Sequence, residues 1–109
     1  MPEEDPTPAL LQIDVSPGAR TVLALRGDLD PHTAPSLESA IADAAEVDGL
    51  EQVVIDLGDV GFLDSSGLRA FVVGRELLAG SGAELLLANA SPNARRLLDV
   101  TGLSDLLEA

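Results

Sequence analysis

Hydroxyl and carboxyl groups meet most closely in this 109-residue chain at Asp64-Ser65-Ser66-Gly67. A serine hydroxyl can accept a phosphoryl group, attack an acyl carbon when a base takes its proton, or cap a helix. For nucleophilic attack the only histidine available as a base is His32, with Asp28 or Asp30 to orient it. A nucleophile elbow also needs glycines two residues to either side of the serine. Leu63-Asp64-Ser65-Ser66-Gly67 has only the second glycine, and no other window has both. Asp28, Asp30 and Asp64 offer oxygen ligands of the kind hard cations prefer, but their spacing matches no metal-binding loop. No catalytic residue, metal or cofactor is assigned, and the chain is not read as an enzyme. Two readings of the serines remain: helix caps contributing about 1 kcal/mol, or an acceptor for phosphate.

Choosing between them requires the elements that hold the segment. Leu11-Gln12-Ile13-Asp14-Val15 alternates apolar and polar residues, as a half-buried strand does, and Ser16-Pro17-Gly18-Ala19 forms a turn. Thr21 to Leu25 follows as a second strand of an antiparallel hairpin, ended by Gly27. From Thr33 the period becomes helical through Leu37, Ile41, Ala44 and Ala45, with Pro35 in the first turn and an end near Asp48-Gly49. Val53-Val54-Ile55 is a β-branched run left through Asp56 and Gly58, suited to a central strand covered on both faces. A helix capped by one of the two serines then carries Leu68, Phe71, Val72 and Leu78 to Gly80-Ser81-Gly82. Leu85 to Ala88 forms another buried strand. Pro92, Ala94, Leu97 and Leu98 open a third helix that stops near Gly102, and Leu103 to Ala109 is left unassigned.

This order of elements implies parallel crossovers: one α/β domain with a mixed sheet of four to five strands, an N-terminal antiparallel hairpin and about three helices. Ser65 then begins a helix at the carboxyl end of a buried strand, the functional edge of open α/β sheets. There, unpaired N–H groups and the helix dipole accommodate a phosphate.

Composition narrows the partners. Nineteen acidic residues against six basic ones leave a net charge of -13, which provides no basic surface for nucleic acid or an anionic membrane. Aromatic residues make up 2% of the chain, so the core is expected to be aliphatic with Phe62 and Phe71 as its large rings. The absence of cysteine excludes disulfides and thiolate metal sites. Residues 1–8, rich in proline and acid, read as a disordered tail. They are neither a signal peptide nor a membrane span, which makes residues 9–109 the domain and the cytoplasm the expected location.

Three separated segments resemble one family. Phe62-Leu63-Asp64-Ser65-Ser66-Gly67-Leu68 closely resembles the signature of the STAS domain of bacterial anti-sigma factor antagonists. Gly27-Asp28-Leu29-Asp30 with His32-Thr33-Ala34 resembles the loop before that family's first helix, and Ala90 to Leu103 its third helix and following turn. The resemblance implies phosphorylation-controlled partner switching. The unmodified protein binds an anti-sigma factor that is also a serine kinase, phosphorylation of Ser65 releases it, and a metal-dependent serine phosphatase resets the cycle. ATP belongs to the kinase, so this chain needs no cofactor. The implied contact surface is Asp28, Asp30, His32, Thr33, Leu63, Asp64, Ser66, Gly67, Leu68 and Arg69, on a monomer or weak dimer. The chain departs from the family in having Pro31 in the loop, Arg69 after Gly-Leu, and no room for a full fourth helix. The alternative is a STAS scaffold or adaptor in a stress-signalling or lipid-transport complex without a sigma cycle.

Overall fold

The computed structural model describes residues 11–108; the tail assigned to residues 1–8 lies outside the described residues. Gly18, at φ 156°, turns the chain between β1 (Leu11–Ser16) and β2 (Arg20–Leu29), which pair antiparallel. The order then alternates: α1 (Ala34–Ala44), β3 (Gln52–Leu63), α2 (Ser65–Ala79), β4 (Glu84–Ala88), α3 (Pro92–Val100) and a 3-10 turn at Ser104–Leu106. The sheet has four strands in the order β1-β2-β3-β4, with β2, β3 and β4 mutually parallel. The implied α/β architecture is present. The unassigned C-terminal stretch forms a short turn whose Leu107 bridges Leu87 on the outer edge of β4.

Strand alternation decides where the core lies. Leu23 and Leu25 of β2, Val53, Ile55 and Leu57 of β3, and Leu85 and Leu87 of β4 point to one face. They pack there with Leu37 and Ile41 of α1, Phe71 and Leu78 of α2, and Leu98 of α3 in a single cluster. Each such side chain contributes about 1.5–3 kcal/mol when fully buried. Gly74 lets α1 approach α2 closely, since a Cβ there would stand 2.7 Å from Ile41 Cδ1.

The structure corrects three expectations about the strands and the core. The central strand is not covered on both faces: Val54 is buried between half-exposed Val22 and Leu86, but does not belong to the helix-covered core. A β-branched run reads the same whether helices or flanking strands shield its second side.

Gly27 does not end β2. It lies within the strand at φ 123°, and β2 runs on to Leu29. β3 likewise passes through Gly58 and Gly61 to Leu63, with irregular pairing to β2 around those glycines. Glycines inside a strand mark bulges as readily as ends.

Finally, Phe62 is 53% exposed and is not a core ring. The irregular pairing sets it opposite half-exposed Asp28, while Leu63 pairs with buried Leu29.

Candidate functional site

Two loops meet at the carboxyl ends of β2 and β3 because those strands run parallel and stop in register. Leu29 pairs with Leu63, and Asp64 N–H donates to Leu29 C=O at 3.2 Å. The Asp28–Thr33 segment and the start of α2 therefore share one end of the sheet, as the sequence order implies.

The first loop is built around two side chains. Thr33 Oγ1 donates to Asp28 C=O at 2.7 Å and accepts from Asp30 N–H at 3.0 Å. Asp30 Oδ1 accepts from His32 N–H at 2.9 Å and Thr33 N–H at 3.1 Å. Such side-chain closure of a turn is what Asp and Thr supply before a helix. Thr33 is buried, whereas Pro31 and His32 project to solvent.

The second loop is held by Asp64. Its backbone is extended (φ -121°, ψ -169°) and its Oδ1 accepts from Ser66 N–H at 2.8 Å, so the aspartate caps α2. The expectation that a serine caps this helix is corrected. Any of three adjacent small polar residues suits the role, and the backbone geometry selects the first. Ser65 is the first helical residue, is exposed, and is free of capping duty.

Gly67 fixes the approach of that first turn. A Cβ there would lie 2.4 Å from Leu63 Cδ1 and 3.1 Å from Leu29 Cβ, so the absence of a side chain brings α2 against the ends of both strands. Leu68, 6% exposed, packs beneath. The contact set implied by the sequence thus divides into two groups. Asp28, Asp30, Leu63, Asp64 and Ser66 are half-exposed, and His32 and Arg69 are exposed, as is Ser65 beside them. Thr33, Gly67 and Leu68 are buried and position the others.

Arg69 lies one turn beyond Ser65 and is not ion-paired to Asp64. Among the described residues the ion pairs are Arg20–Glu108, Arg26–Asp14 and Arg75–Asp105. No group of three metal-ligating side chains occurs among the described residues, and no described helix is long and apolar enough to cross a membrane.

Beside this site lies a groove of about 220 Å³ that the sequence did not reveal, lined by Leu57, Val60 to Leu63, and Ser91, Asn93, Ala94 and Leu97. The available signal was the two glycines three residues apart in a strand, Gly58 and Gly61.

This fold and loop arrangement is that of a known family. Residues 11–108 match the STAS domain, and the chain belongs to that family. Its relatives in the family include the anti-sigma-B factor antagonist of Listeria monocytogenes, 37% identical over 82 residues, covering 75% of this chain and 71% of that protein. An anti-sigma factor antagonist from Mycobacterium paratuberculosis, known from its crystal structure, is 31% identical with a TM-score of 0.76, over 89% of this chain and 82% of that one. The fold is also that of the anti-sigma factor antagonist SpoIIAA in its unphosphorylated form: TM-score 0.77, 22% identity, 90% of this chain and 85% of that one.

Proposed function

We propose that this chain is an anti-sigma factor antagonist switched by phosphorylation of Ser65. The unmodified protein binds an anti-sigma factor with serine kinase activity, which frees a sigma factor. Transfer of phosphate to Ser65 breaks the complex, and a serine phosphatase restores the binding form. The observation that carries this reading is the exposed Ser65 hydroxyl in the first turn of α2, left uncommitted because Asp64 does the capping.

Physical chemistry supports both halves of the switch. Phosphorylation adds about -1.5 to -2 charge where the helix dipole favours an anion, and Arg69 stands one turn away on the same side of the helix. The fold therefore tolerates the modification. A docked partner does not, because the new charge lies among Asp28, Asp30 and Asp64, none of them in an ion pair among the described residues. Burying an unpaired charge costs several kcal/mol, and about 2.7 kcal/mol is a hundredfold in affinity.

The proposed contact residues are the exposed and half-exposed ones: Asp28, Asp30, His32, Leu63, Asp64, Ser66 and Arg69. Thr33, Gly67 and Leu68 hold them in place. Incubation with the cognate kinase and ATP, followed by intact-mass and site-mapping mass spectrometry, tests the assignment. One phosphate at Ser65 with loss of regulator binding is expected, and phosphate on Ser66 alone overturns it.

A further inference from the structure

β3 outruns its neighbour. Its last β4 partner is Asp56, opposite Ala88, and the remaining residues through Leu63 pair only with β2. Beyond Ala88 the chain turns away at Asn89, which has φ 58° and whose Nδ2 donates to Asp56 Oδ1 at 3.0 Å, and enters α3. Among the described residues no strand covers this edge of β3.

An open strand edge presents unpaired N–H and C=O groups that template another strand. The outer edge of β4, by contrast, is covered: Leu107 bridges Leu87, and Glu108 N–H donates to Leu87 C=O at 2.8 Å.

Three features set the occupant's chemistry. The groove between this edge and α3 is walled by Leu57, Val60 and Leu63 on one side and Ala94 and Leu97 on the other, and admits an apolar side chain. Gly58 and Gly61 leave the strand's backbone bare on both sides of Asp59 and Val60. The rim is anionic: Asp28 Oδ1 lies 3.3 Å from where a Gly61 Cβ would be, and Asp28, Asp59 and Asp64 form no ion pair among the described residues. The edge strand β1 is different in charge, for its Asp14 is paired with Arg26.

We propose that the β3 edge from Asp59 to Leu63, together with the groove it shares with α3, receives an extended segment of the regulator as an added strand. Main-chain hydrogen bonds to β3 hold the segment, one apolar side chain drops into the groove, and flanking Lys or Arg side chains meet the aspartates. This mode of recognition combines backbone affinity with side-chain specificity. Since α2 begins directly after β3, the added strand ends beside Ser65, where phosphate would repel its cations. The inference rests on the reading that a regulator docks at the Ser65 end.

Hydrogen–deuterium exchange of the full chain, free and bound to its cognate anti-sigma factor, tests it. Amides within Asp59–Leu63 should exchange at least about tenfold more slowly in the complex, as newly paired strand amides do. Protection confined to Asp28–Thr33 and Ser65–Arg69 overturns the added strand while leaving docking at Ser65 intact. Equal binding by the phosphorylated and unmodified forms sinks the switch itself, whatever the exchange pattern. Protection of Asp59–Leu63 in the free protein that grows with its concentration assigns the edge to a second copy and overturns the proposal. Asn93→Trp fills the groove from an exposed helical position. It should lower affinity at least about tenfold with an unchanged melting temperature, and unchanged affinity counts against the groove.

Discussion

The two ends of the parallel strands are built oppositely. At the amino end, β2, β3 and β4 begin level and carry a polar ladder: Arg20 Nη1 donates to Gln52 Oε1 at 2.9 Å, and Gln52 Nε2 to Glu84 Oε1 at 3.3 Å. Arg20 also pairs with Glu108, which joins the C-terminal turn to the sheet. At the carboxyl end β4 stops well short of the level ends of β2 and β3, two glycines loosen the pairing of β3 with β2, and Asp28, Asp30, Asp59 and Asp64 are without ion-pair partners among the described residues. One end pairs its charges with each other, and the other holds its carboxylates by hydrogen bonds alone, with no cation beside them among the described residues. A folded domain can keep such an unsatisfied edge because the helix-covered core between the two ends carries the stability.

Ser65 is the most sensitive point of the open end. Phosphorylation there should weaken regulator binding about a hundredfold or more, measured by calorimetry, and leave the melting temperature nearly unchanged. Ser65→Ala should bind normally and take up no phosphate. A large drop in melting temperature on phosphorylation would mean that the open end carries stability after all.

Next in size is Gly67→Ala, which forces a methyl group against Leu63 and Leu29 and should cost about 1–3 kcal/mol in urea denaturation. An unmoved midpoint would show that the start of α2 is loosely held. Asp64→Ala should cost about 1 kcal/mol through loss of the cap, while Ser66→Ala should stay within about 0.5 kcal/mol. The reverse order would return the cap to the serine.

Smallest is Arg20→Ala at the closed end. The ladder is exposed, so less than about 1 kcal/mol is expected and regulator affinity should not change. A larger loss would mean that the C-terminal turn is a principal brace of the sheet.

Much of this was legible in the residues. The hairpin, the three helices and the existence of β4 follow from apolar periods that differ between strand and helix, and burial of one face makes those periods visible. The Asp64-Ser65-Ser66-Gly67 segment was legible too, because a helix start at a strand's carboxyl end needs small polar residues and a glycine. Harder to read were Gly27, Gly58 and Gly61. A glycine that breaks a strand and one that lets it bulge are the same residue, and only the pairing partner distinguishes them.

Sequence alone determined which residues are apolar at which spacing, and hence the order of elements, the acidic surface and the position of Ser65 at a helix start. Tertiary structure decided that Asp64 is the cap, that Phe62 faces outward beside Asp28, and that β3 outruns β4 to leave an open edge. The physical reason is the range of the forces involved. Periodicity records burial along one segment, whereas caps, bulges and free edges depend on where a second segment stops.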